Sequence, residues 1–179
     1  EIGLGIPAEP LFRSSINECD EKYHVADLMA FGPSISLEDM EEDLKDVEGI
    51  ERADFVPMIA TNSDYYYKDM TEADSLSYQF YFFDASYPTY LNAFPEEFKD
   101  LKDDEIVLPY YMSYTVNAGD NFKVKLADKT YAFKVRGFVE NLYFATSMNI
   151  TGYYSLVNHK VFDEMKAKLD PTNSFAVAL

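Results

Sequence analysis

The sequence predicts an α+β fold of the split ferredoxin-like kind, with a mainly β lobe inserted into it. A strand–helix–strand pattern occupies each end of the chain, and the centre alternates apolar and polar residues as paired strands do. We therefore expect residues 1–60 and 151–179 to form one α/β lobe. Residues 61–150 are expected to form the inserted, β-rich lobe.

The first strand–helix–strand unit follows a weakly patterned segment, residues 1–21, that suits a connector or a short helix. Residues 25–31 (VADLMAF) are typical of a buried strand. Ser36 is a good N-cap for a helix that is expected to end at Gly49. Residues 50–60 then return as the second strand of the unit.

The centre of the chain contains the clearest strand pattern. Residues 106–108 are a short apolar run, and residues 117–120 (NAGD) are typical of a turn. Apolar residues then alternate with cationic ones over 122–126 and again over 131–139. The connection between these two runs is short, so the pattern predicts an antiparallel hairpin.

The second strand–helix–strand unit lies at the far end of the chain. Residues 152–157 read as a strand rich in tyrosine and valine. Asn158 is placed to cap a helix, which Pro171 ends. Residues 175–179 (FAVAL) are expected to be the last strand.

Charge and cysteine content exclude several classes of function. The chain of 179 residues has a formal net charge of −17, which disfavours binding to nucleic acid or to an anionic membrane surface. Cys19 is the single cysteine, so an intrachain disulfide is impossible. No apolar run approaches the roughly 18 residues that a membrane-spanning helix needs.

The sequence predicts no catalytic residue, no bound cofactor and no metal site. His24 and His159 have no metal-ligating residues at the usual spacings. Neither a G-x-S-x-G nucleophile motif nor a Walker-type phosphate loop is present. Acidic pairs such as Glu96 and Glu97 leave an acidic hydrolase open as a third-ranked function.

Aromatic residues are the unusual feature, with 15 tyrosines and 14 phenylalanines but no tryptophan. Tyr65, Tyr66 and Tyr67 are contiguous, and because strand side chains alternate in direction, at least one ring is expected to be exposed. These three tyrosines are the candidate surface for a substrate or a partner. Most rings between Tyr78 and Phe94 are expected to lie in the core instead.

Three segments carry a resemblance to a known family: D-E-I-V-L-P, then A-G-D, then F-K-V-R-G-F-V-E-N. In this order they resemble the extracytoplasmic core domain of FtsX-like and MacB-like ABC transporter permeases. The corresponding residues are Glu105, Gly119, Asp120, Gly137 and Glu140. The resemblance implies a structural role in turns for Gly119, Asp120 and Gly137.

The resemblance also implies a two-lobed build, with a porter-like α/β lobe, and a non-catalytic function in a bacterial membrane protein. In that family two permease chains pair with a cytoplasmic ATPase dimer, whose ATP-driven movement is coupled to substrate export or to a partner at the cell surface. This chain would then be a soluble fragment from the extracytoplasmic side of the cell membrane, with transmembrane helices on both sides of it. An extracellular peptide or protein is a further candidate partner.

A different class of function remains open from the sequence. A secreted or surface-anchored module could bind a glycan or a peptide through an exposed aromatic patch at residues 65–67. Hydrophobic helices flanking the chain in its parent protein would favour the permease. A signal peptide with a cell-wall anchor would favour the module.

Overall fold

The computed structural model of the chain describes residues 24–140 and 152–179. These residues form eight strands and two α-helices, connected in part by 3-10 turns. The strands are β1 (Ala30–Pro33), β2 (Phe55–Tyr67), β3 (Leu76–Asp84), β4 (Glu105–Pro109), β5 (Asn121–Leu126), β6 (Lys129–Val139), β7 (Tyr153–Val157) and β8 (Ser174–Ala178). The helices are α1 (Leu37–Leu44) and α2 (His159–Lys168), and the 3-10 turns are Glu72–Asp74, Glu96–Phe98, Tyr110–Tyr114 and Pro171–Asn173.

All eight strands belong to one sheet, in the order β1-β8-β2-β3-β7-β4-β6-β5. An additional pairing between β2 and β5 closes the last six of these strands on themselves. The pairs β3–β7 and β4–β6 are parallel, and the other pairs are antiparallel. The fold is therefore a closed, mixed, six-stranded barrel from which β8 and β1 extend.

The prediction of a split ferredoxin-like α+β fold is wrong, because the described chain is mostly β and its sheet closes into a barrel. The cause is β2, which was expected to end at residue 60 but continues to Tyr67. Thr61 and Ser63 are buried while Asn62 and Asp64 are exposed, so this polar stretch alternates as a strand does.

The strand β2 thereby closes the barrel and also holds β8 beside it. The first part of β2 pairs with β8, its last part pairs with β5, and β3 lies along its other edge. The predicted division into lobes 1–60 with 151–179 and 61–150, whose boundary falls within this strand, stays a prediction.

The first unit forms with different bounds from those expected. The prediction of a buried strand over residues 25–31 is wrong. The strand β1 begins at Ala30, is mostly exposed and pairs with β8. The Ser36 cap is confirmed, because its side chain accepts a hydrogen bond of 3.0 Å from the Asp39 N–H. The helix ends at Leu44, before Gly49.

The hairpin and the second unit are confirmed. β5 and β6 pair antiparallel from Leu126↔Lys129 to Asn121↔Lys134. The Asn158 side chain caps α2 by accepting a bond of 2.9 Å from the Val161 N–H. After α2 the chain returns as β8.

The barrel interior is filled by aromatic and aliphatic side chains from all six strands. Val161, Phe162 and Met165 of α2 pack into this interior cluster. A second cluster covers the outer face of the sheet, where the connection between β3 and β4 contributes Phe94 and Phe98. Burial of this apolar surface is the main stabilising term of the fold.

The connector expected over residues 1–21 lies outside the described residues. None of the helices in the described parts of the chain has the length and apolar character needed to cross a membrane.

Candidate functional site

The strand directions bring the tyrosine-rich parts of the chain to one end of the barrel. β4 and β6 are parallel to each other, and β5 is antiparallel to both β6 and β2. It follows that β2, β4 and β6 all finish at the same end, which we call the tyrosine end. Tyr65–Tyr67 lie at the finish of β2, and the turn Tyr110–Tyr114 directly follows β4.

Tyr65 lies inside the barrel and is a core residue. Its side chain is 5% exposed, and its ring packs against Phe80 and Phe122 at centroid distances of 5.5 and 5.6 Å. Its hydroxyl is 3.1 Å from the hydroxyl of Tyr153, to which it is hydrogen-bonded. Burial raises the pKa of both phenols, so both remain neutral well into the alkaline range.

Neither of the next two tyrosines is exposed. Tyr66 is buried on the outer face of β2, where the Lys123 ammonium lies 5.2 Å from its ring centroid. Tyr67 is half-buried and stacks on Phe122 with an interplanar angle of 6°. The expectation of an exposed ring in this run is wrong, because side chains of the neighbouring strand β5, Lys123 and Phe122, lie against the rings of Tyr66 and Tyr67. A binding role for Tyr65, Tyr66 and Tyr67 stays a prediction.

Three exposed tyrosines lie instead in the turn Tyr110–Tyr114, which we call the tyrosine turn. Tyr110, Tyr111 and Tyr114 are 49%, 41% and 76% exposed, and the Tyr114 ring makes edge contacts with the other two. Met112 is 2% exposed and packs into the barrel interior. The turn is therefore anchored by one buried methionine and presents three rings outward.

A cleft of about 380 Å³ lies beside the tyrosine turn. It is lined by Pro95, Glu97, Phe98, Tyr110, Phe138, Val139 and Glu140. The first three come from the connection between β3 and β4, and the last three come from the end of β6 and the residue after it. Tyr110 belongs both to the cleft and to the tyrosine turn.

The family-like Gly137 positions one wall of this cleft. It lies inside β6, beside a register shift opposite Ile106 and Val107, and not in a turn. A Cβ atom at Gly137 would come within 3.0 Å of the Phe98 ring. The absence of a side chain at this residue thus lets Phe98 lie directly on β6.

Gly119 and Asp120 form the turn that was expected of them. Gly119 has a φ of +90°, a left-handed conformation that favours glycine. The Asp120 carboxylate accepts a bond of 2.7 Å from the Asn117 N–H, and this bond closes the turn.

Two carboxylates of the cleft are available to a ligand. Within residues 24–140 and 152–179, Glu97 and Glu140 make no ion pair, and both are exposed. The neighbouring Glu96 differs, because it pairs with Lys99. Glu105, also family-like, accepts a bond of 3.0 Å from the Lys102 N–H and so holds the start of β4.

Both histidines contact other side chains of the fold. The ring of His24 stacks on Tyr90 at a centroid distance of 4.0 Å. His159 Nδ1 is 2.8 Å from the buried carboxylate of Asp84, and this hydrogen bond, with the negative charge of nearby Asp163, raises the pKa of the imidazole. No group of three or more His, Cys, Asp or Glu side chains that could hold a metal ion occurs in the described part of the chain.

The sequence signalled the tyrosine turn only weakly. In PYYMSY a proline ends an apolar strand, and one methionine is set among polar and aromatic residues. A 3-10 turn of five residues has no long hydrophobic period that a sequence pattern can reveal. The contiguous tyrosines at 65–67 gave the more obvious signal, and they lie in and around the core.

The comparisons with known proteins find similarity at the level of structure. No family model matches the sequence, and no curated protein matches it. Among solved structures, the fold is similar to a domain of a protein described as a permease from Porphyromonas gingivalis. The sequence identity is 10% and the TM-score is 0.47, with 82% of this chain and 61% of that chain covered. The chain thus spans less than two thirds of the length of that domain.

Proposed function

We propose that this chain is the extracytoplasmic domain of an ABC transporter permease of the FtsX-like and MacB-like group, and that it carries out no chemistry itself. The proposal rests on the sequence resemblance in the segments around Glu105, Gly119 and Gly137. One observation supports reading these segments as a unit: although they are distant in sequence, they meet at one junction of the barrel.

At this junction the starts of β4 and β5 are hydrogen-bonded to β6. The Lys134 N–H donates to the Asp104 carbonyl at 2.7 Å. The Val135 carbonyl accepts from the Gly119 N–H at 2.8 Å, and the Val135 N–H donates to the Asp120 carbonyl at 3.0 Å. The acidic residue before the strand, the Gly-Asp turn and the glycine-containing strand therefore depend on one another, which favours a shared structural motif over chance matches.

In the proposed function, ATP binding and hydrolysis by a cytoplasmic ATPase dimer move the transmembrane helices of two permease chains. This domain passes the movement to a substrate or to a partner at the cell surface. A closed barrel suits that task, since each of its strands is hydrogen-bonded on both edges and the unit can move as one body.

The test uses the full-length parent protein in its own cells. Tyr114→Cys is introduced where Cys19 and the other cysteines of the parent are replaced by serine, and intact cells are treated with a membrane-impermeant maleimide. We expect labelling of Cys at this exposed residue in intact cells, and co-purification of an ABC-type ATPase with the parent. Labelling only after the cells are opened, or a parent found in the soluble fraction, would contradict the proposal.

One observation favours a second candidate, a secreted or surface-anchored binding module. The tyrosine turn exposes three rings next to a cleft, which is typical of surfaces that bind a glycan or a peptide. The same experiment separates the two candidates. A parent that is released from the cell or attached to the wall, with no associated ATPase, would favour the module.

A further inference from the structure

We infer that the cleft beside the tyrosine turn binds a basic side chain, arginine before lysine, presented by an apolar segment of a protein or peptide partner. The inference is independent of the permease proposal, because it is argued from the cleft, its surroundings and the charge of the chain. A permease domain and a surface module could each use such a site.

The charge of the cleft is the first reason. Glu97 and Glu140 both line it, and neither forms an ion pair within the described residues. Among the described residues that line the cleft there is no lysine, arginine or histidine. Two carboxylates that line one cleft repel each other, and a cation that binds between them relieves this repulsion. The net charge of −17 adds a long-range attraction for a basic partner.

The walls of the cleft are the second reason. Tyr110 and Phe138 provide accessible aromatic surface, while Pro95, Phe98 and Val139 are buried and support the walls from behind. The apolar stem of an arginine can pack on such walls while its guanidinium stays near the carboxylates. The planar guanidinium also stacks on aromatic faces and bonds two carboxylate oxygens at once, so arginine is preferred over lysine.

The volume and the setting of the cleft are the third reason. About 380 Å³ is at the lower end of the range of small-molecule sites and accommodates one long side chain with part of its backbone. The partner would then continue over Tyr111 and Tyr114, since the cleft and the tyrosine turn share Tyr110. Tyrosine and arginine are both enriched at the centres of protein interfaces.

The test is an NMR titration of the ¹⁵N-labelled domain with the peptide acetyl-Leu-Arg-Leu-amide at low ionic strength. We expect saturable shifts of the backbone amides of Phe98, Tyr110 and Phe138. The same peptide with citrulline in place of arginine keeps the shape of the side chain and lacks its charge. Its binding should be weaker by about tenfold, which corresponds to about 1.4 kcal/mol.

Matched variants show whether the carboxylates of the cleft, or the overall charge of the domain, attract the arginine peptide. The double variant Glu97→Gln/Glu140→Gln should weaken binding of the arginine peptide by about tenfold. The control Glu48→Gln/Glu51→Gln removes the same charge at two exposed residues that do not line the cleft, and should change binding by less than about twofold. All four substitutions are at exposed side chains, and the NMR spectrum itself reports whether each variant is folded.

Three outcomes would overturn the inference. The first is the absence of saturable shifts in the unmodified domain. The second is equal binding of the arginine and citrulline peptides. The third is an equal loss of affinity in both double variants, which would indicate attraction to the overall charge of the chain. Since every outcome is measured on the isolated domain, it does not depend on whether the parent is a permease.

Discussion

The same residue type serves two opposite purposes at the tyrosine end of the barrel. Tyr65 and Tyr153 are buried and share a hydrogen bond between their hydroxyls. Tyr111 and Tyr114, a short distance away, extend into solvent from a turn that Met112 anchors. The difference arises from the backbone. In a strand, alternation directs every second ring into the barrel, whereas in a 3-10 turn successive side chains point in three different directions.

This contrast teaches that a high tyrosine content does not by itself indicate a binding surface. The contiguous rings at 65–67 are buried or half-buried, while the rings at 110, 111 and 114 are 41% to 76% exposed. A functional role is therefore to be sought where an aromatic residue is exposed at no evident benefit to stability. Three predictions test the contrast, beginning with the largest effect.

Truncation to alanine should separate the two kinds of tyrosine most clearly. Tyr153→Ala removes a ring that packs against Phe80 and Tyr78, and we expect a loss of about 3–5 kcal/mol in the free energy of unfolding. Tyr114→Ala removes a ring that is 76% exposed, and its effect should be within about 0.5 kcal/mol. Urea denaturation measures both. Comparable losses in the two variants would refute the contrast.

Removal of a single hydroxyl should have a smaller effect. Tyr153→Phe leaves the buried Tyr65 hydroxyl without this partner, at an expected cost of about 1–3 kcal/mol. The double variant Tyr65→Phe/Tyr153→Phe removes both hydroxyls and should regain most of that loss. A double-mutant cycle from urea melts gives the coupling energy. Additive losses would mean that the two hydroxyls do not interact.

Rising alkaline pH should progressively lower the stability of the fold through the buried pair Tyr65 and Tyr153. Burial raises the pKa of Tyr65 and Tyr153 above the usual 10.0, so the folded state favours the neutral phenols. The contribution of the two neutral phenols to the free energy of unfolding is complete below pH 10. It is lost as pH rises from 10 toward the higher pKa of the folded state, because the unfolded chain releases these protons first. Urea melts between about pH 8 and pH 11 should show this fall, and the double phenylalanine variant should show a shallower one. Identical dependence of stability on pH in the unmodified domain and the double variant would contradict a raised pKa for these two phenols.

The local elements could be predicted because their signals are short in range. The β5–β6 hairpin follows from alternation on both sides of a polar turn, and α2 follows from Asn158 and an apolar helix face. The turn at Gly119 also follows from its residue types, because glycine favours the left-handed conformation found there. Each of these elements is determined within about 20 residues of sequence.

Closure of the barrel could not be predicted in this way. It depends on β2 pairing with strands far away in sequence, and the polar residues 61–64 were expected to lie beyond the end of that strand. The cleft is still harder to foresee, since Pro95 and Glu140 meet only after β3, β4 and β6 are assembled. Phe98 and Gly137 are adjacent for the same reason, and no sequence period relates them.

The pairing of Ala30 with Ala178 has a consequence for how the chain acquires its structure during synthesis. β1 and α1 leave the ribosome early, but the surface that α1 packs on includes Ala176 and Ala178 of β8, which are translated last among the described strands. The nascent chain can therefore assemble its six-stranded portion once β7 is available, while its earliest strand and helix wait in solution. A chain truncated before β8 should hold a formed barrel with an undocked leading segment.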